Sequence, residues 1–364
     1  MSLLKNLFGK KEEPIKSYTD FWNWFAKNEK VFHNIVKQQG DIHKDFFDKL
    51  LPRLNEFKDG YLFLTGMCDD NTAELIITVD GAIKNIVFAE ELIHAAPEIA
   101  GWKFTALKPA INLESFNIEM AGFKFGNDNL HFYSNDHPNQ PDLIDITVIH
   151  DDFNESNRPT ITNGIYIFLD NYLGELNFAT IIDNLSVEGK NRAQKELIPI
   201  EKLKHFLDWR QKEFTEKYDG IRHSLENDQH SVLEAEMKNG NVLVAVINTD
   251  LLNWDSKASH PWILTVEIKF NGEDNREMPD AATLELLEEI ENKIESELRD
   301  INGYLYVGRQ TVDRVREIYF ACKDFRKPSK VMHTIQCIYS SKTKIEYHIY
   351  QDKYWQSFKR FTTN

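Results

Sequence analysis

Apolar residues recur along this chain at two spacings, and the switches between them mark its elements. Over residues 18–39, Phe21, Trp22, Trp24, Phe25, Phe32, Ile35 and Val36 fall at helical spacing with a wide aromatic face. Gly40 and Asp41 read as a stop and an N-cap. A second helix runs to about Phe57 through Phe46, Leu50 and Leu54, with Pro52 kinking or shortening it. Residues 61–67 and 73–79 are β-type runs joined by Cys68-Asp69-Asp70-Asn71-Thr72, which predicts a hairpin. A helix over 84–96 and a strand over 103–107 complete an α-α-β-β-α-β series. The series partly recurs. Residues 116–125 and 130–133 flank Gly126-Asn127-Asp128-Asn129 as a second hairpin, 144–149 alternates as a strand, 160–182 is helical and 185–187 is a short strand. A connector helix over 200–217 and a polar loop over 220–230 lead to runs 231–237 and 242–247. Their joint, Lys238-Asn239-Gly240-Asn241, is the strongest hairpin signal in the chain.

The last third has the clearest pattern. Leu264, Val266, Ile268 and Phe270 alternate with Thr265, Glu267 and Lys269, as in a half-buried strand. Asn271 to Asn275 break the run, and Pro279 with Asp280 opens a helix whose Leu284, Leu287, Ile290, Ile294 and Leu298 share a face. Gly303 ends it. Strands over 304–310 and 316–323 follow, then a helix opened by Pro328 with Val331, Ile335 and Ile338 on one face, then a strand over 344–350. The order is βαββαβ. Right-handed crossovers make this a ferredoxin-like sandwich with two helices over one sheet.

The fold class expected is therefore α+β, a C-terminal ferredoxin-like unit preceded by a mixed region of hairpins and helices. A chain of 364 residues exceeds one compact core. The expected division is a flexible terminus over 1–17 and an α+β domain over 18–190, with 18–110 and 111–190 as candidate halves. A helical connector and loop over 191–230 and a C-terminal domain over 231–364 complete it.

Charge narrows the partners. A net charge of −15 disfavours DNA, and makes RNA an improbable partner, because phosphate binding requires positive charge. It suits a basic protein partner through steering, or simply solubility. With no run of 18 apolar residues, nothing spans a membrane. Leu3, Leu4, Leu7 and Phe8 are broken by Lys5, Gly9, Lys10 and Lys11, so the start reads as a frayed terminus rather than a signal peptide. Cys68, Cys322 and Cys337 never pair at metal or disulfide spacing, which points to reducing cytosol.

Residues 262–355 resemble the bacterial family known as domain of unknown function 695. The likeness rests on Trp262-Ile263-Leu264-Thr265-Val266, Gly272 to Pro279, Leu286-Leu287-Glu288-Glu289-Ile290-Glu291, Val307-Gly308-Arg309, Arg316-Glu317-Ile318-Tyr319-Phe320 and Asp352-Lys353-Tyr354-Trp355. That resemblance implies a fold and no reaction. Phe21-Trp22-Asn23-Trp24-Phe25, Asp80-Gly81 and Ala95-Ala96-Pro97 with Gly101-Trp102 look similar to the leader domain of other uncharacterised bacterial proteins.

Candidate chemistry is sparse. There is no GxSxG, no phosphate-binding glycine loop, and no recognised ligand spacing around His137 or His150-Asp151-Asp152. No cofactor and no metal are expected. Residues 280–300 carry eight acids against Lys293 and Arg299, whereas 303–330 is rich in Arg and Lys. This places an acidic helix beside a basic hairpin, either as a partner surface or as self-complementary pairing. Arg309, Arg314, Arg316, Lys323, Arg326 and Trp355 are the candidate partner-binding or ligand residues, with Arg309 and Arg316 on neighbouring strands as a bidentate pair. The leading expectation is a non-enzymatic regulatory protein, of inhibitor or immunity type, that binds a protein partner. A small-ligand protein or enzyme with an interdomain site is the alternative, and an RNA-associated regulator the third.

Overall fold

The structure, a computed structural model, describes residues 13–112, 118–271 and 277–362. Most of the expected flexible terminus, the start of the 116–125 run and the Gly272 end of its loop lie outside the described residues. Helices and sheets are mixed, so the chain is α+β. It gathers into two compact units, residues 1–110 with 174–176, and residues 111–173 with 177–364.

In the first unit, α1 (Tyr18–Lys37) is capped by the Ser17 hydroxyl, which accepts from the Asp20 amide at 3.2 Å. A π-type turn over His43–Phe47 leads into α2 (Asp48–Asn55), which holds Pro52 inside its first turns. Then come β1 (Leu62–Met67), β2 (Ala73–Thr78), α3 (Ile83–His94) and β3 (Trp102–Ala106). The sheet order is β1-β2-β3, with the hairpin antiparallel and β2–β3 parallel across α3. Phe21, Trp22, Phe25 and Phe32 are buried, and the Trp22 indole donates to the Leu92 carbonyl at 2.7 Å. The aromatic run is therefore core.

Glu175 belongs to this unit and is only 1% exposed. Its carboxylate accepts from the Thr78 hydroxyl at 2.6 Å and from the amides of Val79, Gly81 and Lys108, each at 3.0 Å. One side chain thus satisfies the donors where β2 ends and where the chain leaves β3.

The second unit begins with β4 (Ile118–Met120), β5 (Phe123–Phe125), β6 (Leu130–Asn135) and β7 (Asp145–His150). The expected hairpin around Gly126 is not the one formed. β4 pairs β5 across Ala121-Gly122, and β6 pairs β7 and a later strand. Gly122, at φ +82°, supplies the tighter turn. The predicted helix over 160–182 is two helices, α4 (Arg158–Leu173) and α5 (Glu175–Ile181). Gly174 between them has φ +80°, and a Cβ there would lie 2.9 Å from the Ala110 amide nitrogen. Periodicity runs through that break because its period is unchanged on either side. β8 (Asn184–Gly189) and β9 (Ile198–Pro199) complete a sheet of order β8-β7-β6-β9, and α6 (Leu203–Tyr218) follows.

The rest of this unit is one six-stranded antiparallel sheet. Its parts are β10 (His230–Glu236), β11 (Val242–Asn248), α7 (Thr249–Asn253), β12 (Trp262–Lys269), α8 (Ala281–Glu297), β13 (Tyr304–Val312), β14 (Val315–Cys322), α9 (Arg326–Tyr339) and β15 (Lys344–Gln351). The order is β10-β11-β13-β14-β12-β15. The four-stranded sheet expected from βαββαβ is thus widened by the 230–248 hairpin. β11 joins β13 with Val246 opposite Arg309 and Val244 opposite Thr311. Gly308 makes that joint: it has φ +147°, and a Cβ would lie 2.4 Å from the Val246 carbonyl oxygen. Leu305, Val307, Tyr319 and Ala321 pack on one side against α7 and a terminal 3-10 segment containing Phe358 and Phe361. α8 and α9 cover the other side, bridged by the Tyr339 hydroxyl donating to Glu289 at 2.9 Å.

Removing the Glu175 carboxylate leaves four donors without their acceptor. Glu175→Ala is expected to cost about 3 kcal/mol or more, since each buried unsatisfied donor costs roughly 1–3 kcal/mol. Urea unfolding measures the loss. Faster amide exchange at Val79, Gly81 and Lys108 locates it.

Candidate binding site on the C-terminal sheet

The site is built around a carboxylate inside the buried stripe of α8. Leu287, Ile290 and Ile294 face the sheet, and Glu291 falls among them, 2% exposed. It accepts from the Tyr306 hydroxyl at 2.5 Å, from Arg309 Nη1 at 3.0 Å and from Arg316 Nη1 at 3.5 Å. Arg316 also donates Nε to the Thr311 hydroxyl at 3.1 Å. Arg316 is 5% exposed, and its burial lowers its affinity for the proton despite Glu291 beside it. Burial first, then the charge of Glu291, pushes the Tyr306 phenol up, so it stays a neutral donor.

The six candidate residues do not form one surface. Arg309 and Arg316 do share the helix side of the sheet, and both engage Glu291. Arg314 lies at the β13–β14 turn with φ +64° and pairs with Glu277. Lys323 and Arg326 lie at the opposite end of the strands, where the Arg326 guanidinium stands 4.7 Å from the Phe325 ring centre. Trp355 is on the far side of the sheet, buried, with its indole donating to the His260 carbonyl at 3.0 Å. A strand of alternating faces and a hairpin about 8 residues long are enough to separate residues that sit close in sequence.

The closing motif is architectural too. Lys353, 2% exposed, donates to Asp183 at 2.6 Å and to the Asp142 carbonyl at 3.0 Å, with the Phe214 ring 4.8 Å from its nitrogen. The Tyr354 hydroxyl lies 2.6 Å from the Asp142 carboxylate, which also binds Lys217 and Tyr218. His150, fully buried, accepts from the Asp152 amide at 3.1 Å and bonds the Lys124 carbonyl at 2.9 Å. His137 bonds Asp145 at 2.7 Å. Both histidines are held by structural partners.

The helix side of β10–β11 is open. Leu233, Leu243, Ala245 and Ile247 point into the far-side core. By alternation Val232, Val242, Val244 and Val246 point to the helix side, where Val232 is 65% exposed and the other three are half-buried. Leu284, Glu288 and Glu295 follow Glu291's face of α8 at helical spacing and are exposed. At the Tyr306 end this strip meets an open cleft of about 790 Å³, lined by Arg222, His223, Glu226, Glu295, Arg299 and Tyr306. Arg222 donates to the Ile301 carbonyl at 3.0 Å and the Leu225 amide to Asp300 at 3.0 Å, so the cleft's loop is braced. Sequence reasoning left pairing of the acidic helix with the basic hairpin open without singling out Glu291, and it missed the valine row. Glu291 was visible as a charge at a stripe position between Leu287 and Ile294. The valines were hidden because both faces of β11 are apolar.

Beneath the cleft's loop, the Trp254 ring lies 5.1 Å from His223 and 5.5 Å from His260. Burial, then the charge of Lys323 and of His223, holds His260 at about 4, against 6.5 when free. Two outcomes follow. Glu291→Gln is expected to cost about 3 kcal/mol, because two cations lose their buried partner; replacing all three charges by apolar residues costs less. Denaturant titration of both variants tests this. The unfolded chain takes up a proton at His260 near pH 6.5 that the folded chain refuses until about pH 4. Stability from this group is therefore complete above 6.5 and falls by up to about 3 kcal/mol as pH drops through that window. Melting curves of the wild type and His260→Asn across pH 4–7 measure it, and the variant's slope should be flatter.

No curated protein and no solved structure matches the chain. Residues 235–362, from the end of β10 to the terminal 3-10 segment, match the model of a family described as a family of unknown function (DUF695).

Proposed function

We propose that the chain is a non-enzymatic regulatory protein, of inhibitor or immunity type, that binds another protein through the open side of its C-terminal sheet. One observation carries this reading: among the described residues, no helix lies over the row of valines on β10–β11, with Val232 65% exposed, while the four strands beside it lie under α8 and α9. A contiguous apolar strip rimmed by charge is the usual mark of a protein interface. The arginines that would grip a small anion are instead both engaged by Glu291, which sets them to hold the sheet and helix together. On this reading the βαββαβ part is a ferredoxin-like unit carrying an added hairpin, and residues 18–110 are a leader domain.

The cleft beside Tyr306 favours a second reading, a small-ligand site, because Arg222, His223 and Arg299 border it. The two are separated by affinity capture from the native cell at low salt, read by mass spectrometry. A stoichiometric protein partner, lost on Val232→Asp, is expected. Recovery of no partner, with thermal stabilisation by a small anion such as phosphate or citrate that Arg222→Ala abolishes, would replace the first reading by the second.

A further inference from the structure

The C-terminal sheet has room for a third helix. Strands lie about 4.8 Å apart and a helix with side chains is about 10 Å wide, so two helices cover about four strands and leave two. Among the described residues the uncovered pair is β10–β11, and α8 forms the wall beside it. Its floor is Val232, Val244 and Val246. The wall presents Glu288 and Glu295, and the outer strand carries Glu234 and Glu236 on the same side as Val232. The cation at the floor's inner edge, Arg309, is already paired with Glu291 at 3.0 Å. The place is therefore apolar along its bottom and negative on both sides.

Building on the protein-binding function proposed above, we propose that its occupant is a cationic amphipathic helix of another protein, laid along α8. Its apolar stripe would rest on the valines, and Lys or Arg at flanking positions would meet Glu288 and Glu295 on one side and Glu234 and Glu236 on the other. This is helix-in-groove recognition, with apolar burial giving affinity and the charged rims giving orientation and rate. β10 spans seven residues, roughly 23 Å, which a helix of about 16 residues matches in length. The net charge of −15 over the chain steers the same class of partner toward it.

The test uses the full chain and two synthetic helical peptides of about 16 residues. They share a Leu/Ala stripe and differ only in Lys or Glu flanks. The Lys peptide should bind saturably in fluorescence anisotropy and weaken steeply between 50 and 300 mM salt on the order expected for exposed charges. The Glu peptide should not bind. Val232→Asp should abolish binding. The surface reversal Glu234→Lys/Glu288→Lys, which touches no core residue, should weaken it about tenfold or more. Equal binding of both peptides, no binding of either, or binding unaffected by the reversal overturns the proposal. So does light scattering that shows a dimer dissociated by Val232→Asp, which would make a second copy the occupant. A native partner that still binds the Glu234→Lys/Glu288→Lys chain overturns this docking place and leaves the protein-binding function standing. Capture of no partner at all overturns that function instead.

Discussion

Width is the constraint on which the C-terminal region depends. Six strands side by side are broader than two helices can roof, and βαββαβ supplies only two crossover helices. On the far side α7 and the terminal 3-10 segment with Phe358 and Phe361 cover the middle strands, while Tyr350 on the β15 edge is 37% exposed. The helix side must end somewhere, and it ends at the boundary between β13 and β11. The Glu291 ion cluster lies beside this boundary, while Glu234 and Glu236 stand beyond it on β10. Arg309 stands where the roof stops, with its head against Glu291 and its flank toward Val246.

This explains why a buried ion cluster is tolerated there. Charges carried fully inside a core cost more than their attraction returns, but at a roof edge one partner keeps contact with water. Arg309 has a side-chain exposure of 31%, against 6% for Arg316. Solvent can screen the excess positive charge at the outer arginine, while the inner one is held by Thr311 as well as Glu291. The Tyr306 hydroxyl adds a neutral donor at the same carboxylate. The cluster sets the register of α8 on the sheet, since sliding the helix by one residue would carry Glu291 away from all three donors. A helix placed by apolar contacts alone would lack that fixed point.

How much of this the sequence disclosed follows from what each pattern encodes. Period-2 alternation in Leu264–Phe270 and the helical stripe from Leu284 to Leu298 record burial directly, and both elements lie where they read, except that Leu284 at the head of the stripe is exposed. Pairing is a different quantity. The 116–133 region has turn formers at two places, and the tighter Ala121-Gly122 turn took the hairpin; nothing in the apolar pattern ranks the two. The addition of β10–β11 to the sheet depends on Gly308, whose missing Cβ admits the Val246 carbonyl, and a single glycine inside a strand does not say which strand approaches it. Arg309 and Arg316 were recognisable as neighbours. Pairing of the acidic helix with the basic hairpin was one of the two readings open, but which of the eight acids meets both arginines was not legible, because that depends on how the helix is rotated onto the sheet.

The division of labour among the motif residues then becomes clear. Gly308 admits β11, Arg316 anchors α8, Trp355 fills the far-side core, and Lys353 with Tyr354 ties the strand end to Asp142 and Asp183. Each has a structural task that uses most of its bonding capacity. Residues with capacity left over lie elsewhere, in the valine row and on the exposed acids of α8 and β10. These are positions where a substitution changes little in the fold. The matched stretch begins at residue 235, within β10, so Val232 and Glu234 lie outside it while β11, α8 and the cluster lie inside. The match thus takes in the residues of the roof edge and begins after Val232 and Glu234 on the outer strand. Val232 and Glu234 stand on that outer rim, whereas the bonds of the arginine–glutamate cluster run between α8, β13 and β14, so the rim can change without disturbing the cluster that holds the helix over the sheet.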